Sequence, residues 1–265
     1  MKNILVPIGT SSTSHETLQY AVDFANEFSS NIFVMDVFNV SAKAGNLANI
    51  SEKVAENSRE RLKEIITKIN AKNVTIKIAT YNGGIVDGIK DLDKELGIDI
   101  IILAPRSNAI EEELYLGNTS GKIIKRTDIP ALLVPKGSSY VAFKNILVAF
   151  KSGVIKRNRI LNSLVTIRKK YDAKVNLLLV KTPGYVDSDL NVNTALMDIS
   201  SKLTLTENAT TYLGVTQHLQ SFSPELLCVF RRKRGFFKKL WEKNTVLKSE
   251  FFAPIPVLVL SANKN

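Results

Sequence analysis

The chain repeats two short strand-like segments in the same order, and this internal repeat restricts its fold more than any other feature. Residues 2–6 (Lys-Asn-Ile-Leu-Val) recur at 144–148, an offset of 142, and Ile-Pro-Ala-Leu-Leu-Val at 129–134 recurs as Ile-Pro-Val-Leu-Val-Leu at 255–260, an offset of 126. Repetition of this kind indicates duplicated structural units. We therefore predict two similar domains, residues 1–140 and 141–265, the second shortened internally by 142 − 126 = 16 residues.

Between the repeated ends, strand-like and helix-like patterns alternate. The first copy has apolar runs at 4–8, 32–37, 74–80, 98–104 and 129–134, separated by segments whose apolar residues share one helical face, at 14–28, 51–69, 85–96 and 117–127. Such alternation favours parallel sheets covered by helices. The expected fold class is α/β, with two open, mainly parallel five-stranded sheets, helices on both faces of each, and a pseudo-two-fold between them.

The second copy follows the same order with weaker signals. Strands are predicted at 146–150, 175–180, 226–230 and 257–260, with helix and strand material up to residue 206 supplying the fifth. Helices are predicted near 156–171, 212–222 and 236–251. The short Gly-Ser-Ser segment at 137–139 fits a linker between the two copies.

All of the excess positive charge lies in the second copy. Residues 1–144 hold 17 Lys plus Arg and 17 Asp plus Glu, whereas residues 145–265 hold 19 and 8, which accounts for the net +11. Six of these cations lie between Arg231 and Lys239, interspersed with aromatic residues. This run would suit an anionic partner such as single-stranded nucleic acid. We favour a solvated loop whose aromatic residues pack a helix onto the core, so nucleic acid binding is not expected.

Several function classes lack their sequence signatures. Cys228 is the only cysteine and sits in an apolar run, which indicates a buried structural thiol. The two histidines, His15 and His218, have no metal-ligand spacing around them, and no hydrolase, P-loop or dinucleotide motif occurs. No apolar run approaches the roughly 20 residues of a membrane span, and no secretory leader is recognisable. We expect a cytoplasmic protein with no catalytic residue, no metal site and no membrane contact.

An open parallel sheet binds ligands beyond the carboxyl ends of its strands, where the strand order reverses, and holds phosphates with loop and helix-terminal N–H groups. In the first copy, three loops are expected to meet there, at 8–12, 38–40 and 105–118. A candidate binding site is therefore expected in the first copy.

The same residues resemble the universal stress protein family. The resemblance rests on Ile-Leu-Val-Pro-Ile at 4–8 with its Ser/Thr-rich loop, the strand at 99–103, Leu-Tyr-Leu-Gly-Asn-Thr at 114–119 and the closing strand at 129–134. It covers nearly all of residues 1–136 and, more weakly, 144–261. It implies a Rossmann-like fold of the adenine nucleotide alpha hydrolase type and a non-enzymatic stress-response or regulatory role. It also implies that 129–134 and 257–260 pair within one chain as a pseudo-dimer, with a further homodimer left open.

Family members that bind ATP carry an Asp after the first strand's Pro and a Gly-x2-Gly-x9-Gly-Ser/Thr loop. Gly9, Ala104, Ser107, Gly117 and Asn118 stand at those five positions, so only the third loop glycine is kept. The resemblance therefore implies a degraded nucleotide site for ATP or AMP in the first domain. Its candidate residues are Pro7, Gly9, Thr10, Val34, Ala104, Arg106, Ser107, Gly117, Asn118 and Thr119.

In the second domain, Phe230, Lys233, Lys243 and Asn244 replace the loop residues and leave no glycine cradle. Two alternatives to a regulatory protein with a degraded site stay open. The first is an ATP- or AMP-binding module that uses the altered loop, with slow hydrolysis not excluded. The second, weaker alternative is an adaptor for anionic partners through the basic second domain.

Overall fold

The computed structural model describes residues 1–11, 14–40, 47–105, 113–232 and 243–262. The first half of the chain forms six strands and four helices within these residues. In chain order they are β1 (Asn3–Pro7), α1 (Ser14–Phe28), β2 (Asn31–Phe38), α2 (Leu47–Thr67), β3 (Ile76–Asn82), α3 (Ile85–Leu96), β4 (Ile100–Leu103), β5 (Leu114–Leu116), α4 (Asn118–Arg126) and β6 (Ala131–Leu133).

The described part of the second half forms six strands and three helices. They are β7 (Asn145–Phe150), α5 (Asn162–Tyr171), β8 (Lys174–Lys181), α6 (Thr194–Asp198), β9 (Lys202–Glu207), α7 (Thr211–Phe222), β10 (Leu226–Arg231), β11 (Val246–Leu247) and β12 (Val257–Ser261). Short 3-10 turns occupy Asn158–Leu161 and Asp187–Leu190.

Ten of the strands form one sheet in the order β3-β2-β1-β4-β6-β12-β10-β7-β8-β9. Every neighbouring pair is parallel except β6 and β12, which pair antiparallel. The predicted α/β fold class is confirmed, and the two expected five-stranded sheets are joined edge to edge into one. Counted outwards from this junction, the two halves have the same strand order.

The junction lies on the pseudo-two-fold that the sequence repeat predicts. Leu132 of β6 is paired with Leu258 of β12, and 258 − 132 = 126, the offset between the repeated closing strands. A residue that pairs with its own counterpart marks the position of the axis. The division at residue 140 stays a prediction, because the sheet runs without interruption through both halves.

Small structural details recur at equivalent positions of the two halves. The Asp99 carboxylate accepts hydrogen bonds from the Asn3 backbone N–H at 3.1 Å, and the Glu225 carboxylate accepts one from the Asn145 N–H at 2.6 Å. Left-handed residues follow the first helix of each half, at Ser29 and Asp172, and the third helix, at Gly97 and Ser223. These turns let each chain segment reverse from helix to strand, and their recurrence supports duplication.

The shortening of the second half lies between its second and third strands. Strands β2 and β8 begin 143 residues apart (174 − 31), whereas α3 and α7 begin 126 apart (211 − 85). Helix α2 spans 21 residues, and its counterpart α6 spans only five. The second half has therefore lost most of one covering helix.

The two halves also meet through an aromatic cluster beside the linker. The ring of Tyr140 lies 5.5 Å from that of Tyr20 in α1, and Phe143 lies 5.9 Å from Tyr171 in α5. The hydroxyl groups of Tyr140 and Tyr171 are hydrogen-bonded to each other. Burial and this contact raise the pKa of Tyr140, so the cluster stays uncharged.

Some expected boundaries are wrong. The helix expected over 236–251 is absent from its described part, residues 243–251, where β11 pairs with the unpredicted strand β5 instead; residues 236–242 lie outside the described residues. Helix α2 begins at Leu47, four residues before the predicted start at residue 51. Helix α5 begins at Asn162, after a 3-10 turn, rather than near 156.

Within the described residues, no helix is long and apolar enough to cross a lipid bilayer.

Candidate functional site

Strand β1 lies between β2 and β4, and the strand order of the first half reverses at this point. The carboxyl ends of these three parallel strands therefore face the same edge of the sheet, where ligands of open α/β sheets bind. Pro7 is the last residue of β1, and Gly9 and Thr10 follow it as exposed residues. A Cβ added at Gly9 would meet no atom within 4 Å, so there is open space beside this glycine.

The predicted residues after β4 come together with the start of α4. The Gly117 N–H donates to the Pro105 carbonyl at 2.9 Å, and the Ser120 hydroxyl donates to the Ala104 carbonyl at 2.8 Å. Gly117 is the N-cap of α4, and Asn118 and Thr119 are exposed in its first turn. The helix N-terminus, with its unpaired N–H groups, is thus held beside the end of β4.

One of the predicted residues lies away from this edge, and two others lie outside the described residues. Val34 is paired with Val6 and Ile78 in the middle of its strand and is fully buried, so its side chain belongs to the core. Arg106 and Ser107 lie outside the described residues.

An ion pair at the end of β2 was not foreseen from the sequence. The Arg61 guanidinium of α2 contacts the Asp36 carboxylate at 2.5 Å through Nη2 and donates to the Gly9 carbonyl at 2.7 Å through Nη1. The Ser58 hydroxyl also donates to Asp36, which is buried. The available signal was the single carboxylate inside the apolar strand Ile-Phe-Val-Met-Asp-Val-Phe, because buried carboxylates are paired.

The start of α4 in the first half is hydrogen-bonded to its counterpart in the second half. The Asn244 side-chain N–H donates to the side-chain amide oxygen Oδ1 of Asn118 at 3.1 Å, and 244 − 118 = 126, so these residues are equivalent. Beside them, Val246 of β11 pairs with Leu116 of β5. Asn118 is therefore engaged in the contact between the halves as well as in the start of α4.

In the second half, the cation at the end of β10 is structural. Arg231 is 5% exposed, and its guanidinium donates to the Thr127 carbonyl at 3.1 Å, to Asp128 at 2.9 Å, and to the Lys125 carbonyl and Ser261 hydroxyl. Burial lowers the pKa of this guanidinium, and Asp128 opposes that shift. Arg231 must therefore be removed from the six-cation run considered as an anion-binding surface. Residues 233–242 lie outside the described part of the chain.

The other loops of the second half leave little space at the equivalent edge. Phe230, the counterpart of Ala104, is almost fully buried. Gly153, which follows β7, donates its N–H to the Asp189 carbonyl at 2.8 Å and accepts from the Asn193 N–H at 3.0 Å. A Cβ at Gly153 would lie 2.6 Å from the Val192 Cα, so the 186–193 segment packs directly on this loop. Cys228 is fully buried, and its thiol pKa is raised by that burial, as expected for a structural cysteine.

Comparison with known proteins agrees with the geometry. The family model described as "Universal stress protein family" matches residues 1–135. A universal stress protein of Methanocaldococcus jannaschii is 26% identical over 140 residues, covering 51% of this chain and 82% of that protein. Universal stress protein G of Shigella flexneri is 25% identical over 91 residues, covering 34% of this chain and 63% of that protein.

Solved structures show the same fold over the whole chain. The crystal structure of a universal stress protein from Archaeoglobus fulgidus superposes with a TM-score of 0.73 at 18% identity and covers 98% of both chains. A second, from Pseudomonas aeruginosa, has a TM-score of 0.58 at 12% identity and covers 98% of this chain and 93% of that one. At these identities the likeness concerns the fold alone.

The fold is that of a Rossmann-like α/β protein with the same strand order in each half, and the candidate site lies where the strand order of the first half reverses. The chain belongs to the universal stress protein family. Membership of this family supports a role in the stress response.

Proposed function

We propose that this chain is a non-enzymatic stress-response regulatory protein whose first half keeps a degraded adenine-nucleotide site. The second half acts as a fixed structural partner, and the pairing of β6 with β12 takes the place of a dimer contact between two chains. The contact of Arg61 with both Gly9 and Asp36 is the observation that carries the proposal.

This contact alters the nucleoside side of the site. The family's ATP-binding pattern has a carboxylate at position 9, which accepts hydrogen bonds from the ligand. Here Gly9 has no side chain, and the Gly9 carbonyl and the Asp36 carboxylate already accept from Arg61. A ligand that needs acceptors must therefore displace the guanidinium first.

The phosphate side of the site is better preserved. Gly117, Asn118 and Thr119 begin α4, where N–H groups and the helix dipole attract anions. A phosphate side that keeps Gly117 and the helix N-terminus, beside an occupied nucleoside side, supports weak binding of ATP or AMP. Titration calorimetry should give a dissociation constant on the order of 1 mM for ATP, near −4 kcal/mol. Binding below about 10 μM would contradict the description of the site as degraded.

We expect Arg61→Met to strengthen binding of adenosine about tenfold, or about 1.4 kcal/mol. The substitution frees the Gly9 carbonyl and the Asp36 carboxylate to accept from the ribose hydroxyls. Adenosine is the probe because it carries no charge, so the loss of a cation does not weaken its binding electrostatically. Arg59→Met is the matched control, since Arg59 lies on the same helix in an exposed ion pair with Glu56. Unchanged or weaker adenosine binding by Arg61→Met would refute the role given to this contact.

Gly9→Asp should increase the affinity for ATP about three- to tenfold relative to the unsubstituted chain. There is space for the new side chain, and its carboxylate returns the acceptor that the family's ATP-binding pattern has. Gly9→Asn controls for side-chain size without the charge, and should give a smaller gain. Calorimetric titration of both variants with ATP and AMP checks this expectation. Equal affinities for Gly9→Asp and the unsubstituted chain would show that position 9 does not contact the ligand.

A further inference from the structure

The second half lacks most of the helix that covers the equivalent face of the first half. In the first half, α2 packs on β2 and β3, with Leu62 fully buried and Ile65, Ile66 and Ile69 packed against the same core. In the second half, the chain between β8 and β9 contains a 3-10 turn and the five-residue α6, which buries Leu196. A helix-sized part of this face is therefore covered only by a short irregular segment.

Strand β9 shows which face is affected. Leu203 and Leu205 pair with Leu177 and Leu179 of β8, and paired residues lie on the same face of a sheet. Leu177 and Leu179 are buried in the core that also contains α1 and α2 residues. Leu205 is nevertheless 45% exposed. Because β9 is the last strand of the sheet, nothing in the described chain extends beyond it.

The segment that crosses this face adds further exposed apolar side chains. Val186 is 55% exposed, Leu190 43% and Met197 40%. Their neighbours Val192, Ala195 and Ile199 pack against the same core, which keeps the segment on this face. We call the surface formed by Val186, Leu190, Met197 and Leu205 the open face. Four exposed apolar side chains on the crossing segment and the edge strand favour an interaction site, because exposed apolar residues are ordinarily scattered singly.

The charge around the open face differs from that of the rest of the second half. Residues 182–201 contain Asp187, Asp189 and Asp198 and no Lys or Arg, within a half whose net charge is +11. Asp187 and Asp198 are exposed, whereas Glu207 at the end of β9 is paired with Lys181 at 3.8 Å, and Lys202 is exposed at the start of β9. The segment that crosses the open face is thus acidic in itself, with Lys181 and Lys202 at its two ends.

We propose that the open face binds a basic amphipathic helix of a partner protein. An apolar helix face fits the area that α2 covers in the first half, and Lys or Arg beside that face complements Asp187 and Asp198. Nucleotide binding in the first half plays no part in this interaction. The partner is defined by this chemistry: Leu- or Met-type anchors spaced along one helical face and cations along its margins.

Two synthetic helices serve as probes, each about 18 residues long so that it forms a stable helix. Both carry the same Leu face, and their polar faces carry either Lys or Glu. Fluorescence anisotropy with the full chain should show the Lys helix binding at least tenfold more tightly than the Glu helix. Met197→Gln with Leu205→Gln should weaken binding of the Lys helix about tenfold or more, because two apolar contacts are lost. Asp187→Asn with Asp198→Asn should weaken it severalfold and flatten its salt dependence.

Leu213→Gln is the matched control, because Leu213 is 47% exposed on α7, which packs on the opposite face of the sheet. All three variants change exposed side chains, and circular dichroism checks that they fold alike. Equal binding by the Met197→Gln/Leu205→Gln chain and the Leu213→Gln chain would overturn the proposal, as would tighter binding of the Glu helix. Sedimentation equilibrium supplies another outcome against it. A dimer that dissociates on Met197→Gln/Leu205→Gln would show that a second copy of this chain covers the open face.

Discussion

Arg231→Ala should lower the free energy of unfolding by about 3 kcal/mol, measured by urea denaturation. The guanidinium is almost fully buried at the end of β10, and its hydrogen bonds reach the first half at Thr127 and Asp128 and the last strand at Ser261. Removing one partner of a buried ion pair costs about 3–5 kcal/mol, because the remaining polar groups lose their partner. We take the lower end of this range because Asp128 is 39% exposed and water can reach it.

Two further variants separate this role from a general effect of positive charge. Arg231→Lys keeps the charge but not the planar set of donors, so we expect it to recover less than half of the loss. Arg159→Ala removes an exposed cation from the same half and should change stability by less than about 0.5 kcal/mol. A loss at Arg231→Ala no larger than that at Arg159→Ala would show that this residue does not hold the halves together.

The burial of Arg231 is a feature that local sequence patterns do not reveal. Within its local sequence this residue opens a run of cations, and such runs are ordinarily solvated. Its partners Thr127 and Asp128 lie more than 100 positions earlier in the chain, with sequence separations of 104 and 103. No local pattern identifies a contact of that range, so the burial of this one cation could not be predicted.

Elements whose pattern is local were predicted closely. Helix α1 has its apolar residues at helical spacing and occupies Ser14–Phe28, as predicted. Helix α3 occupies Ile85–Leu96 and ends at the left-handed Gly97, a common helix stop that glycine adopts without strain. In both helices, propensity, spacing and termination agree with the final packing.

The helix expected over 236–251 failed in its described part for a different reason. The apolar residues of 246–251 fit a helical face, but Val246 is paired with Leu116 and Lys248 donates its N–H to the Glu113 carbonyl at 2.7 Å. Phe251 instead packs its ring 4.8 Å from that of Tyr115. These partners belong to the other half, and a tertiary contact of this kind overrides local propensity.

In the candidate site, too, some features can be located from local sequence patterns and others depend on long-range packing. The loops after β1 and β4 and the start of α4 could be located from strand order and glycine positions. The Asp36–Arg61 contact could not, because it joins a strand to a helix whose rotation depends on packing. Val34, a further candidate residue, is fully buried in the middle of β2, because the apolar pattern of a strand does not specify which residues reach the edge of the sheet.

The contact between β6 and β12 should make the two halves one cooperative unit. Leu132 and Leu258 are each fully buried and directly paired across this contact. Leu132→Ala and Leu258→Ala should each lower the free energy of unfolding by about 2–5 kcal/mol, as buried leucine truncations do. Because the residues occupy equivalent positions, we expect the two losses to be similar. Urea denaturation followed by circular dichroism measures both.

The double variant tests the pairing itself. Neighbouring residues that share a contact are non-additive, with coupling energies of about 0.5–3 kcal/mol, whereas distant residues add within about 0.5 kcal/mol. Leu132→Ala with Leu258→Ala should therefore lose at least about 0.5 kcal/mol less than the sum of the single losses. Ile89→Ala, in the core cluster on the opposite face of the sheet, should be additive with Leu258→Ala. Strict additivity for Leu132 and Leu258, or two separate unfolding transitions in the unsubstituted chain, would mean that the halves fold independently and that the sheet does not join them.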